Sequence, residues 1–163
     1  MKRSIVLIVM ALFVVCSTAA WAAPSLVLKM AAGDPKDSEM GVVGDAFKKY
    51  VEEKSNGAIE VQTFYSGALG DETETIHNVR RGTLDLTCVG IANAVPFVKE
   101  LGMLTLPYMF SNLDEVVAAT NGESAKILTD YALKGGFRPL TWTYTDFRYI
   151  SNDKRPITKM SDV

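Results

Sequence analysis

The segment "AIEVQTFYSGALGDETETIHNVRRGTLDLTCVG" (residues 58–90) decides the fold, because its apolar pattern changes period twice. Residues 58–65 carry the β-branched and aromatic side chains typical of a strand, and the largely apolar residues 84–90 predict a second strand. Between them, Asp71 has the side chain of a helix N-cap, and Gly82 can end that helix. The segment therefore predicts strand, helix and strand in succession.

The residues before this segment repeat the same order. Residues 26–32, "LVLKMAA", predict a buried strand, and a helical period begins at Met40. The predicted inner stripe of that helix consists of Val43, Ala46, Phe47, Tyr50 and Val51. Gly57 can end the helix by adopting the left-handed conformation. The resulting βαβαβ order predicts an α/β fold, a parallel sheet with right-handed crossovers and helices on its faces.

The pattern is less regular after residue 90. Two prolines interrupt the apolar stretch "ANAVPFVKELGMLTLPYMF", so we expect short helical turns there instead of one long helix. Asn112 is expected to cap a helix, and a further amphipathic helix covers residues 123–133. Residues 138–151, "RPLTWTYTDFRYIS", alternate two faces and predict a long strand.

The first 22 residues have the pattern of a signal peptide. Two basic residues precede the apolar run "IVLIVMALFVV", and a small-x-small motif ends at Ala22, so we expect cleavage before Ala23. The alternative, a membrane anchor, is disfavoured because the apolar run is short and lacks a stop-transfer cluster of charges. The expected organisation is a signal peptide (residues 1–22) followed by an exported domain (residues 23–163) that is not embedded in the membrane.

Charge and cysteine content exclude several classes of partner. The chain has 17 Lys and Arg against 19 Asp and Glu, and the leader removes two of the basic residues. This mildly acidic balance gives no reason to expect a nucleic-acid partner. Of the two cysteines only Cys88 remains after cleavage, so no internal disulfide can form. No Cys/His cluster suggests a metal, and we expect no cofactor.

Signatures of catalysis are scarce. The only histidine, His77, lies on the polar face of a predicted helix, where a solvated histidine is the favoured interpretation. Cys88 lies within an apolar strand, and burial would raise the pKa of its thiol, so packing is favoured over nucleophilic chemistry. We expect no enzymatic activity, and a secreted hydrolase that uses His77 or Cys88 remains the alternative.

Arg148 is an unusual residue for its position. It lies near the end of the predicted strand among aromatic and β-branched residues, where a charge needs water, an acid or a ligand. Two interpretations have similar weight: an ion pair with Asp146, or contact with a ligand carboxylate. The ligand is slightly favoured because a planar guanidinium suits bidentate recognition of a carboxylate.

Four segments together resemble one family: "EEKSNGAIEVQTF", "GALGDETETIHNVRRGTLDLT", "LTLPYMFSNLDEV" and "FRYISNDKRPITKMSDV". In order and spacing they are similar to the extracytoplasmic solute receptors of TRAP (tripartite ATP-independent periplasmic) transporters of the DctP type. The resemblance implies a periplasmic-binding-protein-like (type II) clamshell of two α/β domains that closes over a small organic acid. It also implies a periplasmic location and delivery of the ligand to TRAP membrane permease subunits.

The resemblance also implies how the chain ends. Ser161 and Asp162 look like caps before a further element, and family members continue past this point for about the same length again. The chain is thus expected to be the first α/β domain, interrupted at the crossover to the second. A non-functional receptor fragment is therefore a further alternative.

Candidate ligand contacts are carried over by position. Arg148 matches an arginine that contacts the ligand carboxylate in some receptors of the family. Other contacts would come from Asp34, in the loop after the first strand, and from Gly90 and Asn93 after the third. Sialic acid is disfavoured, because receptors for it carry a glutamate at the position of Gly90 and an asparagine at that of Ala31.

Overall fold

The computed structural model describes residues 23–144, 147, 151–159 and 162. The chain divides into two compact units, Met1–Cys88 and Val89–Val163. The first contains, in order, β1 (Leu26–Ala32), α1 (Glu39–Lys54), β2 (Ile59–Phe64), α2 (Glu72–Arg81) and β3 (Leu86–Cys88). The second contains α3 (Ile91–Ala94), a 3-10 helix (Lys99–Thr105), α4 (Leu113–Asn121) and α5 (Glu123–Lys134).

The first unit is built on a parallel sheet with the strand order β2-β1-β3. Leu28 of β1 lies beside Val61 of β2, and Ala31 lies beside Thr87 of β3. The central strand is buried at its carboxyl end, where Ala31 is 1% exposed. This arrangement confirms the α/β class and the parallel βαβαβ order predicted from the sequence.

The end of α1 follows the predicted glycine signal, but its inner face does not match the prediction. Ser38 caps the helix by accepting a hydrogen bond from the Gly41 N–H at 3.1 Å, and Gly57 takes a φ of 77° beyond its end. The predicted inner stripe is wrong in part, since Ala46 is exposed and Tyr50 is 62% exposed. The buried residues of the helix are instead Gly41 and Gly44.

Glycine replaces large side chains on that face because the helix lies very close to the sheet. A Cβ atom at Gly44 would lie 2.8 Å from the Met30 Cε atom and 3.0 Å from the hydroxyl oxygen of Tyr65. A side chain at Gly44 would require Met30 and Tyr65 to shift, so the absence of a side chain permits the close approach seen here.

The second helix has the predicted ends. Asp71 caps α2 by accepting a hydrogen bond from the Glu74 N–H at 2.8 Å, and Gly82 ends it in the left-handed region with a φ of 73°. The helix buries Thr75 and Ile76. The predicted strand that follows, residues 84–90, is shorter than expected: β3 covers Leu86–Cys88, and Leu84 is buried before the strand begins.

The outer edge of β2 is covered by side chains of α1 and of Ser55, the residue that caps its end. Glu52 Oε1 accepts a hydrogen bond from the Val61 N–H at 3.0 Å, and Lys48 Nζ donates to the Val61 carbonyl at 2.7 Å. Ser55 Oγ accepts from the Ile59 N–H at 3.0 Å. An edge strand would otherwise present these main-chain groups to water or to another strand.

The second unit packs short helices around a small core. Val98, Leu101 and Leu128 form its buried centre. The rings of Phe97 and Phe137 meet edge to face, with 5.9 Å between their centroids. The predicted short helical turns and the two amphipathic helices are confirmed, and Asn112 caps α4 by accepting from the Glu115 N–H at 3.0 Å.

The predicted strand at residues 138–151 is wrong over the part that the structure describes. Residues 138–144 form no strand. A strand needs a neighbour for its main-chain hydrogen bonds, and Trp142 is instead held by its side chain, which donates from Nε1 to Thr129 Oγ1 at 3.1 Å.

The expected capping role of Ser161 and Asp162 stays a prediction. The carboxylate of Asp162 accepts hydrogen bonds from the N–H groups of Thr158 at 3.0 Å and Lys159 at 3.1 Å, which precede it. Ser161 lies outside the described residues. In the described residues, no helix has both the length and the apolar character required to cross a bilayer.

Candidate ligand-binding site

The candidate site begins where β1 ends. Asp34 lies in the loop that follows, which is hydrogen-bonded to the turn after β2: the Ser66 N–H donates to the Asp34 carbonyl at 2.9 Å. The Gly67 N–H donates to the carbonyl of Ala32 at 3.4 Å. Both segments leave the carboxyl ends of parallel strands, the edge at which open α/β sheets bind ligands.

A glutamate that the sequence did not single out joins this edge. Glu72 is the first residue of α2, and a Cβ atom at Gly33 would lie 2.9 Å from its Cγ atom. Its side chain therefore lies against the backbone of the loop that carries Asp34. In the sequence, Glu72 is only the residue after the N-cap Asp71. Its closeness to the end of β1 becomes visible when the first turn of α2 is placed in the fold.

Cys88 completes the group at the end of β3. Burial raises the pKa of its thiol, and the negative charges of Glu72 and Asp34 raise it further. The thiol therefore remains protonated and weakly nucleophilic at neutral pH. This supports the packing role predicted for Cys88. Glu72 thus lies beside the loop that carries Asp34, and both carboxylates act electrostatically on Cys88 at the end of β3.

A line of hydroxyl groups fixes the first turn of α2 to the sheet. Thr87 Oγ1 lies 2.9 Å from Thr75 Oγ1 and 3.4 Å from the Ala31 carbonyl. Thr75 is 1% exposed, and its hydroxyl donates to the Glu72 carbonyl at 2.9 Å. Because α2 is tied to two strands in this way, Glu72 has a defined place relative to the end of β1.

Gly90 and Asn93 belong to the second unit, whereas Asp34 belongs to the first. Gly90 is the N-cap of α3, and the Asn93 N–H donates to its carbonyl at 3.0 Å. Asn93 therefore lies in a short helix, within the stretch for which short helical turns were predicted.

Other predicted site residues lie outside the described residues or face solvent. Arg148 and its alternative partner Asp146 are outside the described part of the chain, as is Ala22, while Ala23 is its first residue. His77 is exposed, as predicted, and lines a shallow polar groove on α2. In the described residues, no group of three or more His, Cys, Asp and Glu side chains could hold a metal ion.

Comparison with known proteins identifies the family. Residues 30–163 match the family described as bacterial extracellular solute-binding protein, family 7 (DctP). A solute-binding protein from Verminephrobacter eiseniae is 34% identical over 145 residues, a match that covers 88% of this chain and 43% of that protein.

Solved structures agree with this result. A TRAP periplasmic solute-binding protein from a Polaromonas species, bound to D-erythronate, is 33% identical with a TM-score of 0.79, covering 84% of this chain and 45% of that one. The sugar-acid-binding protein DctPAm from Advenella mimigardefordensis, in complex with galactonate, is 30% identical with a TM-score of 0.76. That match covers 86% of this chain and 46% of the other.

These relatives confirm the predicted periplasmic-binding-protein-like fold and the resemblance to DctP-type receptors. The chain spans less than half the length of the relatives it matches. The matched region includes all three strands of the sheet except the beginning of β1. The chain belongs to the DctP family of bacterial extracellular solute-binding proteins, family 7.

Proposed function

We propose that this chain supplies the first ligand-binding domain of an exported receptor that captures a small organic acid, with a polyhydroxylated sugar acid as the favoured class. One observation carries the proposal: Glu72 lies against Gly33, the residue before Asp34, at the carboxyl end of β1, and the charges of both carboxylates act on Cys88 at the end of β3. The family membership and the acids bound by the two solved relatives support it.

The charge of this edge favours hydroxyl groups over a second ligand carboxylate. The carboxylate oxygens of Asp34 and Glu72 are hydrogen-bond acceptors, and ligand hydroxyls can donate to them. A second carboxylate at the same place would be repelled. The single carboxylate of a sugar acid needs a cation elsewhere, and we assign this role to Arg148, whose guanidinium can form a bidentate pair.

The remaining assignments follow from the family. Residues 1–22 would be removed before Ala23 on export to the periplasm, and residues 23–163 would form the N-terminal domain. Gly90 and Asn93 would contribute ligand contacts after β3. The receptor would release the acid to TRAP membrane permease subunits. No bond is made or broken in this cycle, so neither a catalytic residue nor a cofactor is needed.

The test is titration calorimetry on the chain from Ala23 to Val163 with D-galactonate, D-erythronate and succinate. We expect the two sugar acids to bind more tightly than succinate. Arg148→Ala should cost about 1.5–3 kcal/mol, or about 10- to 150-fold in affinity, the range for hydrogen bonds to a charged group. Arg148→Lys should restore only part of the loss, because an ammonium cannot form the bidentate pair.

The matched control is Arg138→Ala, which removes an exposed arginine from the same predicted strand and should leave affinity unchanged. Equal affinities in all four proteins would overturn the role of Arg148 and favour its ion pair with Asp146. Absence of binding to every acid by the unmodified chain would overturn the proposed function and favour a fragment without binding activity.

A further inference from the structure

A tyrosine after β2 links the candidate site to α1. The Tyr65 hydroxyl donates to Asp45 Oδ1 at 2.7 Å, across 20 residues of sequence. This hydrogen bond lowers the pKa of Asp45, while burial and the same carboxylate raise the pKa of Tyr65. The proton therefore stays on the tyrosine and the charge stays on the aspartate at neutral pH.

Asp45 also faces the segment of residues 33–38, which we call the ligand loop because it carries Asp34. Lys36 Nζ lies 3.4 Å from Asp45 Oδ2. The Lys36 side chain is 71% exposed, so this ion pair is screened by solvent and contributes little to stability. The carboxylate of Asp45, on α1, therefore contacts both Lys36 of the ligand loop and Tyr65 after β2.

Two glycines of α1 allow the ligand loop and Tyr65 to lie close to the helix. A Cβ atom at Gly41 would collide with the carbonyl oxygen of Lys36, so the ligand loop lies directly on the first turn of α1. A Cβ atom at Gly44 would lie 3.0 Å from the hydroxyl oxygen of Tyr65. The loop and the tyrosine therefore have little room to shift against the helix.

The residue after Tyr65 contacts the ligand loop itself. Ser66 has a φ of 56°, a left-handed conformation that is unfavourable for a residue with a side chain. Its N–H group donates to the Asp34 carbonyl at 2.9 Å. The position of Tyr65 thus determines the direction of the Ser66 N–H, which in turn holds the backbone of Asp34.

We propose that Tyr65 and Asp45 are positioning residues for the ligand loop, and that their hydrogen bond sets the place of Asp34 for binding a hydroxylated acid. The ligand part of this inference rests on the proposed function. The expected effect is mainly on affinity, because the groups are partly solvated and their loss leaves the core intact, whereas a binding site depends on placement to within about 0.5 Å.

Three substitutions test this inference in the chain from Ala23 to Val163. Tyr65→Phe removes only the hydroxyl, and Asp45→Ala removes the acceptor; each should weaken D-galactonate binding about tenfold. Asp45→Asn keeps an acceptor oxygen for Tyr65, and its affinity should stay close to that of the unmodified chain. The control is Tyr50→Phe, which removes a hydroxyl from the 62% exposed tyrosine of α1.

Hydrogen exchange at the Ser66 amide gives a second measurement that does not depend on ligand. We expect faster exchange in Tyr65→Phe and Asp45→Ala, with melting temperatures close to that of Tyr50→Phe. Unchanged Ser66 exchange and unchanged affinity in Tyr65→Phe would overturn the inference. So would a loss in Asp45→Asn equal to that in Asp45→Ala, since charge and not the hydrogen bond would then be decisive.

Failure of the proposed function gives a different pattern. If the unmodified chain binds none of the acids, the binding proposal fails, and Ser66 exchange alone decides the positioning role. Faster exchange in Tyr65→Phe than in Tyr50→Phe would then support the link between the hydroxyl and the ligand loop. Equal exchange in the two variants would reject it.

Discussion

The carboxylate of Glu52 takes the place of a neighbouring strand for the backbone of Val61. Its Oε1 accepts the Val61 N–H at 3.0 Å, while Lys48 Nζ, which lies 3.3 Å from the same carboxylate oxygen, donates to the Val61 carbonyl. Val61 is 0% exposed, so neither main-chain group can turn to bulk water. Two side chains of α1 therefore satisfy an edge position that the sheet itself leaves open.

Removal of this carboxylate should destabilise the first unit. We expect Glu52→Ala to lower the free energy of unfolding by about 1–3 kcal/mol, the cost of leaving a buried N–H without a partner. Glu52→Gln should cost less, since its amide oxygen can still accept. Urea unfolding followed by circular dichroism measures the difference.

A matched control is available one residue further along the helix. Glu53 lies 4.0 Å from Lys49 and its side chain is 65% exposed, so Glu53→Ala should stay within about 0.5 kcal/mol of the unmodified chain. Equal losses at the two positions would show that helix propensity, not the bond to Val61, explains the effect of Glu52→Ala.

The same glutamate should make stability depend on pH. The hydrogen bond from Val61 is the largest cause that lowers the pKa of Glu52 from its ordinary value of 4.5, and Lys48 lowers it further. A depressed folded-state pKa means that the unfolded chain binds the proton more readily. The stabilisation is therefore complete above the unfolded-state pKa and is lost as pH falls through the folded-state value.

This pH effect is measured as the difference in unfolding free energy between the unmodified chain and Glu52→Gln, which cannot titrate. The difference should be constant near neutrality and should shrink as pH falls below the ordinary value of 4.5. A difference that does not change across the acid range would contradict the assigned cause.

The contributions of the Thr75 and Thr87 hydroxyl groups to stability should be coupled. Thr75→Val removes the group that accepts from Thr87 and donates to the Glu72 carbonyl, and we expect a loss of about 1–2 kcal/mol. Thr75→Val combined with Thr87→Val should cost less than the sum of the single changes, because both members of the pair are then absent.

Thermal or urea unfolding of the four proteins gives the coupling energy of Thr75 and Thr87, and Thr73→Val on the exposed side of the same helix is the control. Strict additivity of the two single effects would mean that the two hydroxyls do not interact in solution.

Gly82 provides a test of backbone conformation alone. A Cβ atom there would have nothing within 4 Å, yet the residue has a φ of 73°. Gly82→Ala should therefore cost about 1–2 kcal/mol through strain only, and Gly82→Asn should cost less because asparagine tolerates this region.

The control for Gly82 is Gly102→Ala. At Gly102 a Cβ atom would meet the Val95 Cγ1 atom at 3.5 Å, an ordinary contact, and no left-handed φ is required. Similar losses at the two glycines in urea unfolding would argue against a conformational origin of the cost at Gly82.

Export can be tested directly on the expressed protein. We expect mass spectrometry of a periplasmic fraction to find a chain that begins at Ala23. Recovery of protein that retains Met1 in the membrane fraction would contradict cleavage after Ala22 and favour an anchor. A variant with Ala22→Arg, which disrupts the small-x-small pattern, should accumulate uncleaved.

The elements that could be predicted from the sequence are those with local causes. Asp71 and Gly82 begin and end α2 through interactions with residues three or four positions away, so the sequence alone indicates both ends. The inner face of α1 was harder to predict, since the most apolar stripe includes the exposed Tyr50. The close approach that selects Gly41 and Gly44 depends on the sheet beneath them.

The candidate site shows the same division. The place of Asp34 in the loop after β1 could be predicted from its position in a βαβ unit, and its contact with a ligand stays a prediction. Glu72, and the contact of Tyr65 with Asp45, depend on which elements meet after folding, and no spacing in the sequence encodes them. The strand expected at residues 138–151 failed over residues 138–144, because alternation of side chains cannot supply a partner strand.

The side chains along the outer edge of β2 make the two edges of the described sheet differ in how easily they can accept another strand. A foreign strand approaching that side would first have to displace Ser55 from Ile59 and Glu52 and Lys48 from Val61. β3, the opposite edge strand of the described sheet, is only half-buried. We therefore expect any additional strand to pair beyond β3, and we expect the β2 side to resist edge-to-edge aggregation.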